Sequence, residues 1–475
     1  MHYPEIILFC ILVPLIGSFI LPFLGKINAG LRNIAALIFV LTSFVTAGFA
    51  LQQALNGSPL HIELAMPLGL SFGFLADGLA VLMALISSLA AAIIIFYSFG
   101  YMEHYDNQNE YYMLVTLLTG AGMGMFFSTS LLILYCFWEI AAICGWRLIG
   151  LHRENDIAVK ADKAFLINIG GSLLMLLGFI GIYIQNGTFN MLEMQDKGLD
   201  NWIMILILFG ILSKSATVPL HSWLPDDSSA PAPVTALLNG AILVNTGVYV
   251  FARMFLVNFH LDAVWNLVIP IIAAISALVA AGAAMTENDI KRILSYSAVS
   301  QIGFIFLGLS CGNAAGAAGG LLYILTNCLA LGGLFLCAGI IEYKCHTQDI
   351  SQLGGLAQKL PITCIAFAMC AFSVMGIPPF GGFFARYLVI DGAFTAANPW
   401  IAAVFIIGSV MTVIYLSRAF IKVFFGQLTH PDIREGSWEM VSSVCLLGAL
   451  SLLAGIFTNI PSQLTTFIID NLGRW

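Results

Sequence analysis

NWIMILILFGILSKSATVP, residues 201–219, decides the fold: it is an apolar run long enough to enter a bilayer, and it carries a single lysine, Lys214, shortly before a proline. A lysine near the middle of a membrane helix costs roughly 2.5–3.5 kcal/mol even on a lenient insertion scale, so it is tolerated where it has a partner or a task. Upstream, SLLILYCFWEIAAICGW at 130–146 is a second apolar run with Glu139 near its centre. One buried acid and one buried base are the starting parts of a proton pathway.

The rest of the chain extends the theme. Of its 475 residues 60% are hydrophobic and only 9% are charged, far from the usage of a water-soluble domain. Apolar runs of about 18 to 25 residues give about fourteen spans. They begin near residues 5, 31, 78, 112, 129, 163, 201, 232, 263, 290, 316, 361, 400 and 437, with no gap that could hold a soluble domain. The expected fold is an all-α polytopic membrane protein.

The cations are unevenly shared between the two sets of loops. Lys26, Arg32, Arg147, Arg153, Lys160, Lys163, Lys291, Arg292, Lys344, Lys359, Lys422 and Arg434 fall on one side, against Lys197, Arg253 and Arg474 on the other. By the positive-inside rule the first set faces the cytoplasm and both termini lie outside. Lys214, Arg386 and Arg418 remain within spans, the last close enough to a helix end to snorkel. The start, MHYPEIILFC, lacks a basic n-region, so the first span is read as a retained anchor.

Other chemistry finds few residues to rest on. The ten cysteines form no C-x-x-C pair, and Cys345 and His346 are the one Cys/His neighbour pair, so neither an iron–sulfur nor a zinc site is supported. No glycine-rich phosphate loop and no Ser/His/Asp arrangement is present, and nothing points to nucleic acid.

Two spans are expected to break. In SKSATVPLHSWLPDDSSAPAPV, 213–234, Lys214 is followed by Pro219 and Pro225; in SVMGIPPFGGFFARYLVI, 373–390, Pro378 and Pro379 precede Arg386. Proline removes a backbone donor and clashes with the preceding turn, so each span unwinds locally. Paired discontinuous helices in two halves of a chain point to a transport site.

These segments also carry a resemblance. KSATVPLHSWLPDDSSAPAPVTALLNGAILVNTGVYVFAR (214–253), TENDIKRILSYSAVSQIGFIFLGL (286–309), GIPPFGGFFARYLVIDGAF (376–394) and FWEIAAICGWRLIG (137–150) resemble blocks of the antiporter-like subunits of respiratory complex I, Mrp-type cation/proton antiporters and energy-converting membrane-bound hydrogenases. The similarity runs from about residue 70 to about residue 425, with details leaning towards the hydrogenase-4-like group. It implies about fourteen helices: 1–111 holding helices 1–3, 112–257 and 263–426 forming two inverted five-helix repeats, 427–475 holding helix 14, and breaks in helices 7 and 12. Glu139 and Lys214 match the family's fifth-helix glutamate and seventh-helix lysine, and His221 matches a histidine common in the break.

The chain departs from the pattern further on. Where relatives carry a histidine or lysine in the eighth span, this chain has Asn239 and either Val244 or Asn245; in the eleventh it has Tyr323, Asn327 and Leu331, and in the twelfth Arg386. Arginine does not readily hand over a proton, whereas asparagine and tyrosine can orient water. The expected proton-transfer set is therefore Glu139, Lys214, His221, Asn239, Asn245, Tyr323, Asn327 and Arg386. Asp226 and Asp227 are read as caps of the eighth helix, Lys291 and Arg292 as an orientation signal, and Asp77 as structural. Asp391, five residues after Arg386, is poorly spaced for a helical ion pair.

The resulting expectation is a proton-translocating, antiporter-like subunit of a redox-driven complex in the cell inner membrane, with no cofactor or metal of its own. Any oxidoreductase activity would belong to the complex: iron–sulfur clusters and, in the hydrogenase branch, a nickel–iron site would sit in peripheral subunits on the cytoplasmic side. Further partners would be other antiporter-like and small membrane subunits, and lipid. The alternatives are a structural spacer with a degenerate second half-channel and a Mrp-like sodium/proton antiporter subunit.

Overall fold

In hydrocarbon a backbone amide or carbonyl has no water to bond, so each apolar run satisfies its polar groups by forming a helix. The computed structural model describes residues 4–65, 71–195, 197–260, 262, 264–396 and 399–471; Arg474 of the cation count lies outside them. The helices are α1 (Ile6–Ile27), α2 (Ala29–Leu55), α3 (Gly78–Tyr101), α4 (Gln108–Phe127), α5 (Leu131–Ile149), α6 (Asn155–Asn186) and α7 (Asn201–Lys214). There follow α8 (Ala232–Asn258), α9 (Trp265–Thr286), α10 (Ile290–Leu309), α11 (Ala314–Cys345), α12 (Pro361–Met375), α13 (Gly381–Thr395), α14 (Pro399–Phe424), α15 (Trp438–Ile456) and α16 (Asn459–Asn471). Among the described residues eleven helices are long and apolar enough to cross a membrane, and α7 and α12 are shorter apolar helices. With α4 they account for the expected count of about fourteen.

Polar side chains fix several helix starts. The Asn28 side chain accepts from the amides of Gly30 and Leu31 ahead of α2, Asp289 accepts from Arg292 ahead of α10, and Asn313 from Gly316 ahead of α11. Each bond satisfies one of the amides that a helix N-terminus leaves without a partner.

Both expected breaks are present. α7 stops at Lys214, and the chain runs without regular helix to a 3₁₀ turn at Pro225–Ser229. α12 stops at Gly376, and α13 starts after Pro378 and Pro379. Gly376 has φ +75°, and a Cβ there would meet Arg386 Cδ at 2.6 Å, so the arginine lies across a position that only glycine fits.

Two features depart from the expectation. A hairpin, β1 (Leu60–Ala65) with β2 (Ser71–Ala76), joins α2 to α3, its antiparallel register running from Leu60 opposite Ala76 to Ala65 opposite Ser71. α8, where no break is expected, contains π-helical turns at Ala236–Ala241 and Ala252–Asn258. A π turn frees a carbonyl from the regular ladder and is frequent at functional sites.

The chain divides into two compact units. The first comprises residues 1–95, 105–215 and 242–261, the second 96–104, 216–241 and 262–475. In the first, α1 packs on α2 and α4, and the series α4 to α7 packs neighbour on neighbour. In the second, α11 is the hub, touching α10, α12, α13, α15, α16 and the first part of α8. Phe9, Phe19 and Phe23 on α1 and Ile406, Ile407 and Val410 on α14 are exposed. Such stripes suit lipid and would be an aggregation hazard in water.

Candidate functional site

The first unit holds the expected acid and base. α7 is apolar up to Lys214, its last helical residue, where a cation is favoured by the unpartnered carbonyls and the negative end of the helix dipole. Lys214 is fully buried; its Nζ donates to the carbonyl of Trp138 at 3.2 Å and lies 4.9 Å from the centre of the Trp138 ring. Glu139, next along α5, makes no direct ion pair with it, yet its charge reaches Lys214. Oε1 of Glu139 is buried with no hydrogen-bond partner. The ammonium is thus anchored by a neutral carbonyl and a ring face while its countercharge stands off. A pair of this kind is more readily shifted by a passing charge than a locked contact pair.

Near the C-terminal end of α8 the structure corrects the sequence reading of Arg253. It is no loop residue: it is buried in the last π turn of α8, donates Nη1 to Asp77 Oδ2 at 2.5 Å and Nη2 to Oδ1 at 2.8 Å, and donates Nε to Tyr249 Oη at 2.9 Å. Burial alone would raise the Asp77 carboxyl, but Arg253 and the amides of Ala80 and Leu79 hold it below its ordinary value. A small cavity of about 30 Å³ adjoins the pair, lined in part by Ser128, Thr129 and Asn258.

In the second unit the reading of Asp227 as a cap is overturned, and Lys291 is found buried. The N-cap position of α8 is Pro231, so neither Asp226 nor Asp227 caps it. Asp227 is 1% exposed; its Oδ1 accepts from Asn239 Nδ2 at 3.3 Å and Ser295 Oγ at 3.4 Å. Lys291 does not lie at the surface: with no exposed area, its Nζ donates to the carbonyls of Ser228 at 3.0 Å and Ala230 at 2.8 Å and pairs with Glu342 at 2.8 Å. A lysine in a KR pair at a helix start usually reaches water. Here the 3₁₀ segment after the break folds over it.

The third cluster surrounds Arg386, which is 5% exposed. Nε donates to Tyr323 Oη at 3.1 Å, and Nη2 to Gln301 Oε1 at 3.3 Å and to the carbonyl of Val374. Tyr323 Oη donates to the same Gln301 oxygen at 2.5 Å, and the guanidinium lies 5.6 Å from the centre of the Phe304 ring. Every one of these partners is neutral, and Nη1 is buried with no partner. Asp391 is exposed and is not among the partners.

Of the remaining expected residues, Asn327 stands one turn along α11 from Tyr323, buried, with Oδ1 unpartnered. Leu331, a further turn on, is fully buried. His221 is partly exposed in the link after α7, and Asn245 is buried in the first unit's part of α8. Sequence reasoning passed over Gln301, Trp138 and Glu342, and read Asp227 and Lys291 only as a cap and an orientation signal. A glutamine in a membrane helix is costly enough to flag, so Gln301 was there to be found. The hydrogen bond to Trp138 uses a backbone carbonyl, which leaves no signal in the sequence.

Residues 128–412 match the family described as NADH:quinone oxidoreductase/Mrp antiporter, TM, and residues 63–112 match that described as NADH-Ubiquinone oxidoreductase (complex I), chain 5 N-terminus. A Na(+)/H(+) antiporter subunit A1 of Staphylococcus aureus is 30% identical over 505 aligned positions, covering 97% of this chain and 62% of the relative. The chain thus spans about 62% of the length of the curated relatives it matches. A chain of the Mrp complex from Dietzia sp. DQ12-45-1b superposes with a TM-score of 0.92 at 24% identity, covering 99% of this chain and 97% of that one. A chain of respiratory complex I from Thermus thermophilus gives 0.86 at 24% identity, covering 98% of each. At that identity the likeness establishes the fold, that of a multi-pass membrane protein.

Proposed function

This chain belongs to the NADH:quinone oxidoreductase/Mrp antiporter family of membrane proteins, and from that premise we propose that it is a proton-translocating, antiporter-like subunit of a multi-subunit complex. The observation that carries the reading is Lys214: a fully buried ammonium at the broken end of α7, held by a neutral carbonyl, with Glu139 acting on it from beyond contact distance. Such a lysine can take up or release its proton when a nearby charge moves. We place the protein in the inner membrane with both termini outside, on the cation asymmetry. Redox centres, in a redox-driven complex, are assigned to peripheral partner subunits.

A second reading, a Mrp-like sodium/proton antiporter subunit, is favoured by the relative named Na(+)/H(+) antiporter subunit A1. One experiment addresses both. The complex purified through this chain is reconstituted in vesicles, and proton movement is followed with a pH-sensitive dye as wild type and as Lys214→Met, with and without sodium. Proton movement that is lost in Lys214→Met supports the proposal; a wild-type rate in an assembled Lys214→Met complex refutes it. Obligatory sodium dependence, with small membrane subunits and no iron–sulfur subunit copurifying, selects the Mrp-like reading.

A further inference from the structure

Asp227 lies outside the residues assigned to proton transfer, yet its surroundings pose a chemical question. Asn239 donates Nδ2 to Asp227 Oδ1, while the other atom of each group, Oδ2 of Asp227 and Oδ1 of Asn239, is buried without a hydrogen-bond partner. Both orphans are acceptors when the carboxyl is ionised. Burying two unmatched acceptors beside one another is unfavourable, since neither recovers what it loses on leaving water. One proton removes the mismatch: a carboxylic acid and a primary amide bond reciprocally, amide N–H to carboxyl C=O and carboxyl O–H to amide C=O.

We infer that Asp227 is a proton-loading carboxyl of the second unit, which binds one proton on Oδ2 and shares it with Asn239. Uptake is a simple association: the carboxylate gains a proton on an oxygen lone pair, and release returns it without breaking any other bond. The charges that face the site come from each neighbouring element. Lys291 on α10 acts on Asp227 by its charge while bonded to the carbonyls of Ser228 and Ala230, and Glu342 on α11 neutralises Lys291 at 2.8 Å. Asp226, in the same 3₁₀ turn, opposes ionisation and stands 3.9 Å from Arg292. Ser295 supplies the remaining hydroxyl at 3.4 Å. When Lys291 leans towards Glu342 its hold on an Asp227 anion weakens and protonation is favoured; when Glu342 is neutralised, Lys291 is freed to favour the anion. The Lys291–Glu342 pair therefore sets the occupancy of Asp227. The inference rests on the reading of the chain as a proton translocator, but the site can be observed without transport.

The test is infrared difference spectroscopy on the purified complex containing the full chain, stepped across pH in H2O and D2O. A protonated-carboxyl C=O band, shifted in D2O, is expected in wild type and absent in Asp227→Asn. In Asn239→Leu, which keeps the carboxyl and removes its partner, the band should persist at higher frequency. Spectra of Asp227→Asn identical to wild type, or a band indifferent to Asn239→Leu, would overturn the site. Lys214→Met, measured alongside, separates the two claims. If it stops proton movement while no Asp227 band exists, the site is wrong and the functional reading stands; if the band belongs to Asp227 while Lys214→Met pumps normally, the reverse holds.

Discussion

The Nζ of Lys214 is bonded to the carbonyl of Trp138, the residue immediately before Glu139 in α5, and not to the carboxylate of Glu139 itself. A contact ion pair in hydrocarbon is hard to open, because either charge released alone would be stranded. Holding the ammonium on a neutral carbonyl, with the carboxylate one residue along, keeps the attraction and avoids the lock.

Glu139→Gln should therefore weaken coupled proton movement while leaving the complex assembled. It removes the charge that favours the ammonium and leaves the Trp138 bond in place, so Lys214 tends to the neutral amine. The expected loss is about tenfold or more, corresponding to roughly 1.4 kcal/mol in the cost of charging the lysine. It is read as the initial rate of vesicle acidification at matched protein content; a rate equal to wild type would show that Glu139 is no partner of Lys214.

Much of this was legible in the chain. Long apolar runs force helices in hydrocarbon, and Pro219 and Pro378–Pro379 force the breaks, so both followed from the residues alone. The paired strands Leu60–Ala65 and Ser71–Ala76 were not, because two six-residue segments between long apolar runs carry too little pattern to stand out. The burial of Lys291 and Asp227 was not legible either, since it depends on how the 3₁₀ segment after the break folds back on α10. Arg253 looked like a loop cation because no local pattern announces that α8 stays helical, with a π turn, through Asn258.

Arg386 should act as a fixed charge. Its three bonding partners are neutral and bound through a planar fork, and a lysine offers one ammonium in place of two separated nitrogens. Arg386→Lys should lose Tyr323 or Gln301 as a partner, at about 1.5–3 kcal/mol for a hydrogen bond to a charged group. It should also add a titration to the pH profile of transport that wild type does not show at this position, because lysine can deprotonate. Arg386→Met should be the more damaging for transport. Equal rates for the two variants at every pH would mean that shape, not charge, is what the site requires.

The Asp77–Arg253 pair should be a stability element of the first unit. Asp77→Asn leaves a buried guanidinium without its counterion and should cost about 3 kcal/mol near neutral pH. The Asp77 carboxyl is held below its ordinary value in the fold. Its contribution is therefore complete above the unfolded-state value of about 3.9 and is lost as pH falls through the lower folded value. Thermal unfolding of the detergent-solubilised chain should show wild type well above Asp77→Asn at pH 7, with the two midpoints converging in acid. A gap that widens as pH falls would contradict the assignment.

Asn327 offers the sharpest separation of transporter from spacer. Its Oδ1 is buried without a partner, and the next turn of α11 carries Leu331 in an equally buried position. An orphan acceptor costs about 1–3 kcal/mol relative to an apolar group of similar shape, so folding alone would favour leucine here. Asn327→Leu should accordingly leave the unfolding midpoint unchanged or raise it. If Asn327 orders water beside Tyr323 and the Arg386 nest, the same substitution should sharply reduce proton movement. A spacer predicts the stability gain with no change in transport. Measuring both quantities on one preparation decides the matter: a stabilised variant that still pumps at the wild-type rate would remove Asn327 from the path, and a stabilised variant that fails to pump would show that this asparagine is kept for conduction at the expense of stability.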